Sequence, residues 1–236
     1  MGFTFHQMVT HSSYSTFTHW NNVMSNEQII WDQALIEKYN YSGPRYTSYP
    51  TALEFNQAFT STEFEMACQQ YPDRKLSLYI HIPFCHKLCY YCGCNKIITR
   101  HQHKADQYLD VLEQEIKQRA TLLGDRHVSQ LHFGGGTPTF LTATQITRLM
   151  TALRSAFNFD ADAEISIEVD PREIELSILD HLRSEGFNRL SIGVQDFNKD
   201  VQKLVNREQD EDFIFAMVER ARELGYRSTN LDLIYG

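Results

Sequence analysis

The chain has 236 residues, enough for one large domain or two small ones, and its 42% hydrophobic and 22% charged residues are typical of a globular protein. Its formal net charge of −8 at pH 7 argues against non-specific nucleic-acid binding and against a polybasic membrane patch. No run of about 18 apolar residues occurs, so we expect no membrane-spanning segment and no membrane partner. Cysteines clustered outside a small secreted scaffold predict a reducing, cytoplasmic location.

The first 26 residues contain no Lys, Arg, Asp or Glu and are rich in Ser, Thr, His and Asn. This composition fits neither a signal peptide, which needs a basic start and an apolar core, nor an Arg-rich transit peptide. We therefore expect residues 1–26 to be a disordered or non-native extension, and Met24 begins a more ordinary sequence.

A helix and an aromatic arm are predicted to follow. Trp31, Leu35 and Tyr39 repeat at helical spacing, and the segment 40–51 then combines proline and glycine with several tyrosines. Such a segment favours an extended, non-helical arm with large aromatic anchors. We expect this arm to pack against a partner surface.

The stretch from Phe84 to Asn95 contains four of the five cysteines. Cys85, Cys89 and Cys92 follow a C-x-x-x-C-x-x-C spacing, and Cys94 follows after one glycine. Thiolates this close repel one another and oxidise readily unless a metal or an iron–sulfur cluster holds them. A structural zinc site usually needs a second, separated ligand pair, which this sequence lacks. The spacing instead supplies three thiolates to a cubane cluster and leaves one iron open.

From residue 75 onward, predicted strands alternate with amphipathic helices, which indicates a parallel sheet. The predicted strands are 75–83, 128–134, 163–170, 188–195 and 227–235. One apolar helical stripe runs from Ala105 to Leu123, and another runs from Phe213 to Leu224.

Capping patterns agree with these helices. Thr142 with Gln145, and Asp170 with Glu173 around Pro171, match capping boxes. Helix C-termini are predicted at three glycines, Gly124, Gly186 and Gly225.

Each predicted strand has one apolar and one polar face. The apolar face must lie under the helices, so the polar face lines a shared interior. A closed eight-stranded barrel fills its interior with branched apolar side chains, so a polar lumen predicts a wide or incomplete barrel that holds a large polar ligand. The polar positions include Tyr79, His81, His132, Glu168, Gln195 and Asp232.

Two further features lie at the carboxyl ends of the predicted strands. Gly134, Gly135 and Gly136 follow the second strand, and without a Cβ they let a backbone approach a ligand closely. Glu168 ends the third strand, where a carboxylate can accept hydrogen bonds from a ribose diol. A glycine turn alone is weak evidence, and a purely structural glutamate is the alternative.

The spacing C-x-x-x-C-x-aromatic-C, with Tyr91 as the aromatic residue, resembles the signature of the radical S-adenosylmethionine (SAM) enzymes. Further motifs are similar to those of the oxygen-independent coproporphyrinogen III oxidases (dehydrogenases), from about residue 27 to the end. These motifs are Tyr-Ser-Gly-Pro-Arg-Tyr-Thr-Ser-Tyr-Pro-Thr, His-Ile-Pro-Phe-Cys, Cys92-Gly93-Cys94, Gly-Gly-Gly-Thr-Pro, Glu168-Val169-Asp170-Pro171, Gly193-Val194-Gln195-Asp196 and Asn206-Arg207.

The resemblance implies an α/β fold, a partial (β/α) radical SAM barrel of parallel strands preceded by an N-terminal arm. Residues 27–74 would form the N-terminal helix and arm, and residues 75–236 the barrel. Members of this family continue beyond the point where the sequence stops, after about the fifth strand. We therefore expect an N-terminal fragment that presents the cluster and part of the first SAM site but turns over poorly or not at all.

The resemblance also implies the site residues. Cys85, Cys89 and Cys92 would bind a 4Fe–4S cluster, whereas Cys94 matches a family cysteine that is not a ligand. Two SAM molecules are implied, and no catalytic residue is assigned. The first SAM would contact Tyr79, Gly135 and Glu168. The second would contact Tyr91, Gly136, Thr137, Gln195, Arg207 and Asp232.

The implied reaction is the radical oxidative decarboxylation of two propionates of coproporphyrinogen III to vinyl groups, which gives protoporphyrinogen IX in anaerobic haem biosynthesis. A low-potential electron donor would supply the electron, and Arg45 in the aromatic arm is a candidate cation for the substrate propionates. We expect a monomer, although the sequence carries no signal for oligomeric state.

Two alternatives stay open. The related haem chaperones share the cluster motif and barrel but bind haem, whereas Cys92-Gly93-Cys94 and the tyrosine-rich arm favour the oxidase. A non-catalytic zinc or redox binding module would instead show no broad absorbance near about 400 nm after reconstitution with iron and sulfide.

Overall fold

The computed structural model describes residues 31–41 and 51–234. The extension predicted for residues 1–26 and most of the aromatic arm, including Arg45, lie outside these ranges. The predictions for those segments stay predictions.

The chain forms two compact units, residues 1–56 and residues 57–236. In the first unit, helix α1 spans Gln33–Tyr39 and begins after Asp32, whose carboxylate accepts a hydrogen bond from the backbone N of Leu35 at 2.9 Å. This confirms the helix predicted from the spacing of the aromatic and aliphatic residues. None of its residues is buried, so packing against the described residues does not stabilise it.

The second unit is built on a five-stranded parallel sheet in which spatial order follows chain order, β1-β4-β5-β6-β7. Its strands are β1 Leu76–Ile82, β4 His127–Gly135, β5 Asn158–Val169, β6 Arg189–Gln195 and β7 Ser228–Leu233. Each new strand is added on the same side of the sheet, as in a barrel, whereas a doubly wound sheet reverses direction. The predicted partial barrel is confirmed. A separate pair of short parallel strands, β2 Phe84–Cys85 and β3 Ile97–Ile98, lies in the loop after β1.

Among the described residues of this unit, six α-helices connect or flank the strands. They are α2 Ser61–Gln69, α3 His103–Leu123, α4 Ala143–Ala156, α5 Ser177–Ser184, α6 Lys199–Leu204 and α7 Glu211–Glu223. Helix α2 falls in the same compact unit as the sheet, and the domain boundary predicted at residue 75 stays a prediction. Among the helices of the described residues, none combines the length and hydropathy needed to cross a membrane.

Strand alternation follows the predicted faces. On β6, Leu190, Ile192 and Val194 are fully buried, whereas the residues between them are partly exposed. The buried strand and helix side chains form one core. Ser166 departs from the pattern because it is a buried polar residue, and its hydroxyl donates to the carbonyl of Leu131 at 3.3 Å.

Most predicted caps are present. The hydroxyl of Thr142 accepts from the backbone N of Gln145, and the Gln145 side chain accepts from the backbone N of Thr142. Positive φ angles of +66°, +88° and +72° follow helices α3, α5 and α7. They belong to the three predicted glycines, Gly124, Gly186 and Gly225.

The capping box predicted around Pro171 is wrong. Pro171–Glu173 is a single 3₁₀ turn, and the Asp170 carboxylate accepts from the backbone N of Arg172 rather than closing a box with Glu173. The reason is that neighbouring arginine side chains occupy the same carboxylate. Strand β5 also begins at Asn158, five residues before the predicted start.

Candidate active site

One cavity of about 150 Å³ opens at the carboxyl ends of the five parallel strands. Eleven of the twelve predicted site residues line it: Cys85, Cys89, Tyr91, Cys92, Gly135, Gly136, Thr137, Glu168, Gln195, Arg207 and Asp232. The parallel sheet brings these ends to one edge, because every strand points the same way. The cavity thus lies between the cysteine loop, residues 84–95, and the polar faces of the strands.

Tyr79 is the predicted site residue that does not line the cavity. It lies on β1, its ring stacks on His132 with centroids 5.8 Å apart, and its hydroxyl contacts His81 Nδ1 at 3.2 Å. Gly134 lies between Tyr79 and Glu168, and a Cβ on this glycine would lie about 3 Å from both side chains. Tyr79 therefore borders the site from the polar face of β1.

The cysteine loop is held mainly through its backbone. The backbone N of Thr99 donates to the carbonyl of Cys85 at 2.9 Å, and that of Cys92 donates to Cys89 at 3.1 Å. The Lys96 ammonium donates to the carbonyls of Cys92 and Cys94. All five cysteines are free thiols, and Cys85 and Cys89 are buried. The loop is folded in a way that leaves the sulfur atoms available.

Hydrogen-bond donors surround two of the sulfur atoms. Cys89 Sγ accepts from Arg172 Nη2 at 3.3 Å and from Arg207 Nη1 at 3.4 Å. Cys85 Sγ accepts from the Thr137 hydroxyl at 3.5 Å, and burial raises the pKa of this thiol. Of these two sulfur atoms, only that of Cys89 accepts hydrogen bonds from charged donors.

Asp170 anchors both arginines. Its carboxylate accepts from Arg172 at 2.6 Å and from Arg207 at 3.2 Å, and all three side chains are buried. Burial alone would raise the pKa of Asp170, but the hydrogen bonds from Arg172 and the charge of Arg207 outweigh it and hold the pKa below its usual value. Arg207 also donates to the carbonyl of Gly193, where a Cβ would lie 2.6 Å from Arg207 Nη2.

The residues directly after α6, Val205 and Asn206, hydrogen-bond the cysteine loop and are called the clamp below. Asn206 has φ of +53°, a conformation that asparagine adopts more readily than most residues, and its side chain donates to the carbonyl of Leu88 at 2.7 Å. The backbone N of Tyr90 donates to the carbonyl of Val205 at 3.0 Å. Arg172 Nη1 donates to the carbonyl of Asn206 at 3.2 Å, which ties the clamp to the arginine pair.

The glycine segment packs against protein rather than lying open. The backbone N of Gly136 donates to Ile82, and that of Thr137 donates to Phe84, each at 2.8 Å. A Cβ on Gly136 would lie 2.8 Å from the carbonyl oxygen of Phe84. Glycine is required there for close approach to the start of the cysteine loop, a partner that the sequence pattern did not identify. Gly135, with φ of +114°, donates its N–H to Glu168 at 3.2 Å.

Acceptors on the polar face point toward the same edge. Glu168 contacts His132 Nε2 at 3.3 Å, and His132 Nδ1 contacts Ser166 at 2.7 Å. Asp232 accepts from Ser191 at 3.0 Å, and Gln195 ends β6 with φ of +69°. Burial raises the pKa of Tyr91, so its phenol stays protonated as a hydrogen-bond donor. Carboxylates, an amide and a phenol suit a ligand rich in hydroxyl and amino groups.

Two functional candidates were missed by sequence reasoning. Arg172 carried no recognisable pattern, and Asp170 was interpreted as a helix cap. A buried carboxylate between two arginines that also contact a cysteine is visible only once strands β5 and β6 and the cysteine loop come together.

The donor set fits a cluster better than a single ion. Within the described part of the chain, no three Cys, His, Asp or Glu side chains are arranged to hold one metal ion. A cubane cluster binds each thiolate at a different iron, so its ligands lie further apart than those of one ion. Cys85, Cys89 and Cys92 line one cavity with two buried arginines that offset thiolate charge.

Comparison with known proteins shows the family to which the chain belongs. Residues 79–236 match the family model of the Radical SAM superfamily. The oxygen-independent coproporphyrinogen III oxidase of Salmonella typhimurium is 73% identical over 213 residues, which are 90% of this chain and 47% of that protein. A protein of the same name from Mannheimia haemolytica is 65% identical over 144 residues, which are 61% of this chain and 99% of the relative.

A solved structure is also similar. The coproporphyrinogen III oxidase of Escherichia coli, described as a radical SAM enzyme, superposes with a TM-score of 0.80 at 70% identity. The match covers 89% of this chain and 47% of that structure. The chain thus spans about half the length of the Salmonella and Escherichia proteins.

Proposed function

Because the chain belongs to the radical SAM superfamily and, within it, to the oxygen-independent coproporphyrinogen III oxidases, we propose that it serves the oxidative decarboxylation of coproporphyrinogen III to protoporphyrinogen IX. The cavity that joins the three spaced cysteines to the polar ends of the strands carries this proposal. The reaction belongs to porphyrin biosynthesis in the cytoplasm, with a low-potential electron donor as partner.

Cys85, Cys89 and Cys92 would hold a 4Fe–4S cluster. Two of these thiols are buried beside hydrogen-bond donors, which suits thiolates that must carry charge away from water. Bound together, the cluster and SAM supply the one-electron chemistry that converts a propionate to a vinyl group with loss of carbon dioxide. The role proposed for the chain is to position both groups and to limit access of water.

The first SAM would lie against Glu168, Gly135 and Tyr79. Glu168 is a partly exposed acceptor at the cavity edge, held there by His132 and by the backbone N of Gly135. This places a carboxylate where it can accept hydrogen bonds from ligand hydroxyl or amino groups.

We also propose the second SAM, beside Tyr91, Gly136, Thr137, Gln195, Arg207 and Asp232. The backbone N–H groups of Gly136 and Thr137 already donate to protein carbonyls. Polar contacts to this ligand would therefore use the carbonyl oxygens of both residues or the hydroxyl of Thr137. Arg207 supplies a buried positive charge suited to a carboxylate.

The test is anaerobic reconstitution of the chain with iron and sulfide, followed by reduction in the presence of SAM. We expect broad absorbance near about 400 nm from thiolate-bound iron, and formation of 5′-deoxyadenosine. Porphyrin product is measured in the same reaction after adding coproporphyrinogen III.

Matched cysteine variants sharpen the test. Cys89→Ala should lose the absorbance, whereas Cys68→Ala, on helix α2 and outside the cavity, should keep it. In the parent chain, formation of both 5′-deoxyadenosine and porphyrin product would support the complete reaction. Deoxyadenosine without porphyrin would restrict the chain to SAM cleavage or favour the chaperone alternative, and absence of a cluster in the parent chain would contradict the proposal.

A further inference from the structure

Arg172, in the 3₁₀ turn after β5, hydrogen-bonds three different residues around the cysteine loop. Its guanidinium donates to Asp170, to the carbonyl of Asn206 and to Cys89 Sγ. The side chain is only 5% exposed, so these bonds are shielded from water. Nε also donates to Asp170, at 2.9 Å, so each of the three guanidinium nitrogens makes a hydrogen bond and the orientation of the side chain is fixed.

The two arginines at Cys89 are not equivalent. Arg207 is held by Asp170 and by the carbonyl of Gly193, and it is proposed above to contact SAM as well. Arg172 is held by Asp170 and by the carbonyl of Asn206, and no contact with SAM is proposed for it. The effect of Arg172 on Cys89 can therefore be measured separately from SAM binding.

A fixed cationic donor at one thiolate has a defined electronic consequence. A 4Fe–4S cluster gains one negative charge on reduction, so a hydrogen bond from a cation to a ligand sulfur stabilises the reduced state more than the oxidised state. Hydrogen bonds to the sulfurs and local charge are known levers on cluster reduction potential. In a buried place this effect is less screened than at a surface.

We propose that Arg172 is a positioning residue that raises the reduction potential of the cluster through its hydrogen bond to Cys89 Sγ. Asp170 and Asn206 hold the guanidinium in place for this role. The inference rests on the proposed function, because it requires the cluster to be present.

The experiment is a redox titration of the reconstituted, SAM-free chain, in which the reduced cluster is followed by electron paramagnetic resonance and iron is counted per chain. In Arg172→Gln the equilibrium should shift about tenfold toward the oxidised cluster, a midpoint lower by about 59 mV for a one-electron couple. Arg172→Lys keeps a positive charge but has no fork to span Asp170 and Cys89, so its midpoint should also fall. Arg148→Gln is the matched control, since Arg148 pairs with Asp110 and Glu113 away from the cavity.

The outcomes separate the inference from the proposed function. A parent chain that takes up no cluster overturns both. A parent that forms the cluster, with Arg172 variants at an unchanged midpoint, overturns the inference alone, whether or not their iron content falls. If Arg172→Gln holds no iron, Arg172→Lys decides, and loss of iron in both would assign Arg172 a purely structural role.

Discussion

At the scale of single residues, the site depends on close contacts that tolerate little change. Gly136 is the sharpest case, because the atoms nearest to its missing Cβ are backbone atoms of Pro83 and Phe84 rather than flexible side-chain ends. The next residue along, Cys85, is a proposed cluster ligand. A small displacement here is transmitted directly to the cysteine loop.

Gly136→Ala should therefore disturb the loop. The new methyl group would lie 2.8–2.9 Å from backbone atoms that cannot rotate away. Overpacking of this kind costs about 1–3 kcal/mol. We expect lower iron content after reconstitution and a lower free energy of unfolding in urea.

Gly93→Ala is the control for that change. It adds the same methyl group inside the cysteine loop, but beyond its chain neighbours no atom lies within 4 Å of the place that this methyl group would take. Iron content should match the parent chain. Equal iron content in both variants would contradict the requirement for glycine at 136.

At the scale of elements, helix α4 shows how sequence patterns become structure. Its capping box fixes its first turn, and its buried face packs into the core through Ile146, Leu149 and Leu153. Gln145 also donates to Asp106 on α3 at 2.8 Å, so the same residue caps one helix and joins it to the next.

Thr142→Ala should lower the free energy of unfolding by about 1 kcal/mol, because it removes the acceptor for the backbone N of Gln145. Chemical denaturation followed by circular dichroism measures this. Thr121→Ala makes the same change inside α3, where the hydroxyl only bonds the carbonyl of Lys117 within the same helix. That variant should be no less stable than the parent, since alanine favours helix interiors. An equal loss in both would show that the cap is not the cause.

At the scale of the whole molecule, ion pairs connect elements that are far apart in sequence. Arg148 on α4 pairs with Asp110 and Glu113 on α3. Lys75, directly before β1, pairs with Asp160 on β5. Each of these pairs has at least one side chain that is a third or more exposed, so solvent screens it and its contribution to stability is small. The buried pair of Asp170 with its two arginines is different, because removing one partner leaves buried charge uncompensated.

Asp170 should make the stability of the chain pH-dependent. Its folded-state pKa is lowered, so its contribution is fully present above the unfolded value of about 3.9 and is lost as the pH falls through the folded value. Asp170→Asn should cost about 3–5 kcal/mol at pH 7. The difference in free energy of unfolding between the variant and the parent should become smaller as the pH falls below about 4.

Urea unfolding of both proteins at pH 7 and pH 3 checks this sign. Asp180→Asn, which removes an exposed carboxylate paired with Arg220, serves as the control with a small effect. If Asp170→Asn had the same free energy of unfolding as the parent at pH 7, the assignment would be contradicted. A difference in free energy of unfolding that is larger at pH 3 than at pH 7 would also contradict it.

Much of the fold followed from local pattern. The five strands and their two faces, the helical stripes and the glycine C-caps were predicted because each depends on residues within a few positions of one another. The cysteine spacing likewise marked Cys85, Cys89 and Cys92 as a ligand set before any contact was known. Polar residues on one strand face, such as Glu168 and Asp232, identified the lumen for the same reason.

The surroundings of those residues were decided only by tertiary structure. Arg172 reaches Cys89 across 83 positions, and Asn206 reaches Leu88 across 118. No periodicity or spacing encodes such contacts, because they arise when separate strand ends converge at one edge of the sheet. Asp170 illustrates the difference, since the local pattern of a cap predicted one use for its carboxylate and the buried arginines imposed another. The sequence by itself therefore determined the cysteine set and the polar strand residues at the carboxyl end of the sheet. Only the packing there brought Arg172 and Asp170 to Cys89 and determined how each side chain is held.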